Sequence, residues 1–526
     1  MLASQRCATL EKLHCELADL KRRRESLSTD ADELEAQICA KVEAIAALAP
    51  VYKLPDDLVI EILNTAYLHA FPHCCRDDGL ENTNSPLAVS QVSRWWRRHA
   101  LALPKLWRCV HLTPKQSAGQ GELTRLYVAR SVGQPLSVFL VAYEEDAVAD
   151  LTSALVNEFG GATWRRLRPA WQHLLTQSAR WQHCAVYTNG RRQLEAVLQS
   201  LNGQAFPQLE YFGLSGPPNE PQLFQDANAM LHAPRLAALH VTHALLPDLA
   251  FPLNHVTDLT LENVPLYAGE FLHALAAASQ TLRTLILNFI RFQAAPHGMP
   301  VALPEVHLPA LQILVAEFVR DADGGSGVLR ALCAGAPALH TLRFALGHDF
   351  LGALAAGGGV LPCVRRVQCN GLLAAGAGVP AGATLFAALP ALATFQAALL
   401  DWAGTLDAAR AADEEAGAGC CVAWPGLRTL VFHSLDEAPG LLRFVEHRVR
   451  VDHPLEKLVL DDANLARLSP EDRHQYEQHG LEIIGHAQAE PAIRFGLRSL
   501  QTWWDCETDR PNFELWNSEW EFWHQF

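Results

Sequence analysis

The sequence predicts a mixed α/β protein: a helical N-terminal part, then a long array of units that each supply one strand and one helical return, the strands being parallel. Three observations predict it. A seven-residue apolar repeat covers residues 7–49, a helix-spaced apolar stretch covers 54–107, and from Trp181 an apolar-x-x-apolar-x-apolar pattern recurs at steps of 20 to 35 residues.

With 526 residues, 49% hydrophobic and 19% charged, the chain can bury large cores and should hold more than one unit. A net charge of −15 argues against general nucleic-acid binding, which needs cations to neutralise phosphates. Thirteen scattered cysteines with no Cys-x-x-Cys pair suit a reducing compartment. No basic-then-apolar leader opens the chain, so the expected location is cytoplasmic or nuclear. Between Arg366 and Asp401 no charge occurs, but Gly371, Gly376, Gly378, Pro380, Gly382 and Pro390 interrupt the stretch. No membrane span is expected there; buried repeat core is.

Residues 1–50 read as a coiled-coil helix. Leu10, Leu17, Ile38 and Ile45 fall on one seam position, and Leu13, Leu20, Leu27, Leu34 and Leu48 on the other; Arg24, Ala31 and Lys41 break the seam. The partner is either a second copy, making a homodimer through residues 7–49, or a long hairpin helix. The run Lys21-Arg22-Arg23-Arg24 suits a solvated helix face or a nuclear address. Pro50 ends the helix.

Residues 51–115 follow. Leu54-Pro55-Asp56-Asp57-Leu58 begins a helix in which Pro55 suits the first turn, the acids complement the positive helix start, and Leu58, Ile62 and Leu63 form an apolar edge. Leu87, Val89, Val92, Trp95, Trp96 and Leu101 make a second apolar helical face edged by Arg94, Arg97 and Arg98, and Leu103-Pro104-Lys105-Leu106-Trp107 closes the stretch. The polar run from Arg76 to Pro86 reads as a surface loop. This order of Leu-Pro-Asp-Asp-Leu-x-x-x-Ile-Leu, Val-Ser-Arg-Trp-Trp-Arg and Leu-Pro-x-Leu-Trp resembles the F-box, the helical module that docks substrate receptors onto the Skp adaptor of cullin–RING ubiquitin ligases. Here the link between Leu63 and Leu87 is longer than usual. The resemblance implies adaptor contact or F-box packing for Leu54, Pro55, Leu58, Ile62, Leu63, Val92 and Trp96.

Residues 116–180 read as a linker with first degenerate repeats. A helix is expected near Leu123–Ser131, a strand at Leu136, Val138 and Leu140, and a helix over Trp164–Leu175 with a kink or break at Pro169.

Residues 181–490 carry the repeat. Pattern starts fall at Trp181, Leu209, Leu236, Val256, Leu282, Leu311, Leu339, Val364, Leu392, Leu427, Leu455 and Leu481, often with a proline two residues ahead, as at Pro207, Pro309 and Pro425. The pattern resembles divergent leucine-rich repeats, although the Asn that many such repeats carry after the strand is mostly missing. The resemblance implies a solenoid with parallel strands on its concave face, because no unit can bury its apolar side alone. Alternation turns the fourth and sixth pattern residues inward and the third and fifth outward. Tyr211, His240, Arg343, Arg366, Gln368 and Lys457, with Thr260, Thr284, Thr341 and Gln396, are therefore the candidate partner-binding residues of that face. Asp413 to Gly419 reads as an inserted acidic loop.

Residues 491–526 are an acidic tail rich in tryptophan, with Trp503, Trp504, Trp516, Trp520 and Trp523. It reads as a cap over the open end of the repeat core or as a partner-binding segment.

No phosphate-binding loop, nucleophile elbow or calcium loop occurs. His69, His73, Cys74 and Cys75 are the one metal-like grouping, and adjacent cysteines seldom reach the same tetrahedral ion. No catalytic residue, metal or cofactor is expected. The whole resembles F-box proteins with a leucine-rich-repeat receptor domain, which implies a non-catalytic receptor with a Skp adaptor, a cullin complex and an unidentified protein substrate as partners. The other reading open to the sequence is a scaffold that self-associates through its N-terminal helix.

Overall fold

The computed structural model describes residues 2–26, 31–48, 53–73, 85–113, 119–142, 156–188, 190–216, 232–243, 253–293, 303–317, 325–345, 360–373, 388–400, 402–417, 423–432, 440–460 and 462–485. It is mixed α/β, with a large parallel sheet. The described chain divides into two compact units, the first made of residues up to His111 with Glu122–Leu136, the second of Leu112–Gly121 and the residues from Ser137 onward.

In the first unit the heptad occupies two helices, α1 (Leu2–Ser26) and α2 (Ala31–Leu48), which pack on each other. Leu34 and Ile38 are buried, and Leu10, Leu13, Leu17 and Leu20 are half-buried. Lys41, which interrupts the apolar seam, pairs with Glu16 across the two helices. Leu27 lies outside the described residues. Helix α3 (Asp56–His73) follows, then α4 (Ser85–Val92) and α5 (Arg94–Ala102). The single apolar face read over 87–101 is thus two helices. Ser93 parts them: its backbone is extended, and its hydroxyl accepts the Trp96 N–H at 3.3 Å, a cap that starts α5 afresh. Of the polar run, residues 76–84 lie outside the described residues, while Ser85 and Pro86 open α4. A 3-10 turn (Pro104–Trp107) buries Trp107, whose indole N–H donates to Ala100 O at 2.8 Å. Tyr127 of α6 (Gln120–Arg130) sets its ring edge-on to Trp107.

Prolines explain how strands start in the second unit. In Phe206-Pro207-Gln208-Leu209 the Leu209 N–H returns to Phe206 O, and the same i to i+3 turn recurs before Leu236, Leu311, Leu339, Val364, Leu392 and Leu427. Each time a proline holds the second turn position, where its fixed φ suits the bend. The strands β2 (Leu136–Ala142), β3 (Trp181–Thr188), β4 (Tyr211–Ser215), β5 (Ala238–Thr242), β6 (Asp258–Glu262), β8 (Thr284–Asn288), β10 (Ile313–Glu317), β11 (Thr341–Ala345), β12 (Arg366–Leu373), β13 (Thr394–Leu400), β14 (Thr429–Phe432), β15 (Lys457–Leu460) and β16 (Glu482–Gly485) stand side by side in chain order. β7 (Pro265–Tyr267) and β9 (Arg291–Gln293) form a small second parallel pair. The remaining strand, β1 (Cys109–Leu112), is wholly buried.

Strand exits repeat as well. His243, Asn263 and Phe289 take left-handed φ values of 55°, 50° and 53° directly after β5, β6 and β8. There the His243 and Asn263 N–H groups bond the last carbonyl of the next strand. Val264 and Ile290, fully buried, stand just beyond these corners.

Helical returns lie at α7 (Val156–Leu175), which runs through Pro169, α8 (Arg191–Leu201), α9 (Ala268–Ala277), α10 (Gly325–Ala334), α11 (Trp402–Ala416), α12 (Leu441–Arg450), α13 (Asp462–Arg467) and α14 (Pro470–Gln478). Two expectations need correction. The acidic stretch at 413 is the end of α11, not a loop; Gly417, at φ 103°, follows it, and Asp413 is buried. The last pattern start is displaced by one residue, because Glu482, not Ile483, pairs with Lys457, after Gly480 turns the chain at φ 78°. Ile483 therefore joins the core row.

Burial makes a direct thiol prediction. Cys184 and Cys333 are buried, which raises both thiols and pushes Cys333 up to about 12, whereas Cys15 and Cys363 are exposed. Only thiolates react quickly. Maleimide labelling of the native chain, mapped by mass spectrometry, is expected to modify Cys15 and Cys363 and to spare Cys184 and Cys333 until denaturant is added.

Candidate functional site

Two surfaces carry the candidate residues, one in each unit.

On the first, Pro55 precedes α3 and its carbonyl accepts the N–H groups of Leu58 and Val59, so it sits at the cap and not inside the first turn. Asp56 ties the start of α3 to α5: its carboxylate lies 3.3 Å from His99 Nε2 and 3.9 Å from Arg98 Nη2. Helical spacing then separates two adjacent stripes. Val59 and Leu63 turn inward, at 0% and 4% exposure, while Leu58 and Ile62 stand out at 48% and 45%. Val92, the last residue of α4, is 60% exposed. Leu54 and Trp96 are half-buried and Pro55 is exposed. Trp96 packs edge-on to Trp95, which in turn packs on His99. α5 contacts both α3 and α4, so these residues belong to one helical cluster. Leu63 therefore packs the cluster, and Leu58, Ile62 and Val92 are the apolar side chains it presents. Leu101, outside the predicted set, is 41% exposed as well.

On the second surface, strand register sorts the predicted residues into rows on the face opposite the core. Thr341, Arg366, Thr394, Thr429, Lys457 and Glu482 form one row. Arg343, Gln368, Gln396, Val431, Val459 and Ile484 form the next, which continues the other way through Val315, Ile286, Thr260, His240 and Gly213. Four of the six predicted side chains, His240, Arg343, Arg366 and Lys457, are half-buried. Tyr211 and Gln368 are buried, at 6% and 5%, and so are not presented to solvent as expected. Tyr211 lies down over its own strand, where a Cβ on Gly213 would come within 2.7 Å of the hydroxyl. His240 Nε2 meets Thr242 Oγ1 at 3.1 Å and Glu262 Oε2 at 3.6 Å, and Lys457 Nζ is 3.8 Å from Glu482.

The polar positions Arg343, Gln368 and Gln396 are flanked by two apolar groups, Ile286–Val315 with Ile313 and Val431–Val459 with Ile484. The outward-pointing positions of the repeat held this signal, in β-branched residues where polar ones dominate elsewhere.

Burial lowers the affinity of His243 for a proton below the usual 6.5, with the charge of Glu262 pulling the other way. For a depressed histidine the unfolded chain takes the proton first, so stability is intact above about pH 6.5 and is lost as pH falls toward the folded value. His243→Asn keeps a residue tolerant of left-handed φ and removes the titration. Melting scans at pH 7 and pH 5 should show a smaller acid loss in that variant; an equal loss would contradict the assignment.

Among the described residues no group of His, Cys, Asp or Glu could hold a metal ion. The side chains of His69 and His73, together with Cys74 and Cys75, lie outside the described residues, as does the tail from residue 486. Cys109 Sγ is 3.1 Å from His111 Nε2, but both side chains are buried. No helix among the described residues is long and apolar enough to cross a membrane. No known family model matches the chain, and comparison with curated proteins finds no match.

Proposed function

We propose that this chain is a non-catalytic substrate receptor. The cluster of α3, α4 and α5 acts as an F-box that holds the Skp adaptor of a cullin–RING ubiquitin ligase. The parallel sheet, read as a leucine-rich-repeat solenoid, holds a protein target for ubiquitination. One observation carries the reading: Leu58 and Ile62 stand exposed one turn apart on a helix whose neighbouring stripe, Val59 and Leu63, is buried. Water-facing leucine and isoleucine at that spacing suit docking into an apolar groove on a partner. The helical order of the F-box resemblance and the near-constant strand spacing support it. On the target side, the half-buried His240, Arg343, Arg366 and Lys457, on a sheet face that also carries two apolar groups, suit a folded or extended protein segment.

The test is co-purification of the full chain with the Skp adaptor, comparing the native sequence with Leu58→Asp plus Ile62→Asp. Binding by the native chain and its loss in the double variant is the expected result. Equal binding, or none by either, would favour the scaffold that self-associates through residues 7–49.

A further inference from the structure

A third surface, in the first unit, is independent of the adaptor reading. Arg94, Arg97, Arg98 and Leu101 are all exposed and fall at i, i+3, i+4 and i+7 along α5, one basic stripe with an apolar end. Arg97 is held: its Nε donates to Ser90 O at 2.9 Å, which leaves its two amino groups directed elsewhere. One turn on, Ala100 O receives the indole N–H of buried Trp107. Over the face of that indole lies the Arg130 guanidinium, its central carbon 4.3 Å from the ring centroid. Trp107 thus sets Arg130 beside the α5 stripe.

The charges nearby sharpen the point. Burial lowers the proton affinity of Arg130, and the charge of Arg97 lowers it further. Arg98 has Asp56 as a counter-ion and Arg125 has Glu122. Among the described residues no carboxylate pairs with Arg97 or Arg130. Two like charges that feel each other, each set by a neutral partner, raise the energy of the surface until an anion arrives between them. Guanidinium forks present paired donors that match the oxygens of a carboxylate or a phosphoryl group.

We infer that Arg97 and Arg130 clasp an anionic side chain of a partner protein, carboxylate or phosphoryl, while Arg94 and Leu101 continue the contact along α5. A protein is favoured over a nucleic acid by the chain's net charge of −15 and by the apolar end that Leu101 gives the stripe.

The full chain is titrated, at low salt, into three fluorescein-labelled peptides that share one neutral sequence ending in Leu. They differ only in a central pair of Ser, Glu or phosphoserine. Anisotropy should report binding of the Glu peptide, the phosphoserine peptide or both, with none of the Ser peptide. Whichever binds identifies the oxyanion. Arg97→Gln plus Arg130→Gln should weaken binding at least tenfold, while Arg125→Gln, whose cation is already paired, should leave it unchanged; matching circular dichroism spectra establish that both variants are folded. Equal binding of all three peptides, or unchanged binding in the double variant, would overturn the inference. So would an oligouridine probe that binds more tightly and is lost in the same variant, because the site would then serve a nucleic acid. None of these outcomes depends on the Skp adaptor.

Discussion

Arg448→Ala should destabilise the sheet-bearing unit by about 3–5 kcal/mol, the loss expected when a buried charge is removed from the carbonyls it bonds. Arg448 is completely buried on α12, and its two amino groups donate to three carbonyls: Ala423 and Trp424 at 3.1 Å and Leu427 at 3.0 Å. Those carbonyls belong to the turn that launches β14, where Trp424 sits at φ 51° with its ring against Phe395. From the other side, Asp413 of α11 accepts the Ala423 N–H at 2.8 Å and meets His447 Nε2 at 3.1 Å. Two helices therefore grip one turn through groups that have no water to fall back on. Truncating the arginine strands the carbonyls and leaves Asp413 in a less positive interior. Arg448→Lys, which keeps the charge but not the fork, should fall in between. Arg450→Ala, two residues on and exposed, should change stability by no more than about 0.5 kcal/mol. Denaturant midpoints of the three variants decide the matter; equal midpoints for Arg448→Ala and Arg450→Ala would refute the role of the clasp.

The second large effect concerns binding. If Leu58 and Ile62 enter an apolar groove, each contributes about 1.5–3 kcal/mol of buried side chain. Replacing both with aspartate removes that and adds two charges to be desolvated, so adaptor affinity should fall by about 100-fold or more. Both side chains are already close to half exposed, so the fold should survive the change. An unchanged melting temperature with lost binding is the informative combination. Val59 and Leu63 offer no such test, since they are packed and their loss would unfold the cluster.

Periodicity made much of this architecture legible. A strand needs alternating apolar residues to bury one face, and a proline-started turn needs its proline in one place, so Pro207-Gln208-Leu209 and its counterparts announce strand after strand. The sheet follows that spacing in register from β3 to β15. It fails at β16, where a left-handed glycine shifts the chain by one residue without disturbing the apolar count. The candidate surfaces were less legible. Leu58, Ile62 and Leu63 look alike in a sequence, yet helix rotation buries the third and exposes the first two. Tyr211 looks outward by alternation, yet it lies down in the gap left by Gly213.

By itself, then, the sequence determined where the strands of the repeat start and where apolar faces run, because backbone geometry imposes those periods locally. Only the tertiary structure decided that the heptad folds back on itself through Glu16 and Lys41. It also decided that an acidic stretch ends inside a helix with Asp413 buried, and that Arg130 lies over the ring of Trp107, whose indole N–H is bonded to Ala100 of α5. These depend on residues far apart in the chain becoming neighbours, and a charge's partner or an indole's stacking cation carries no periodic mark.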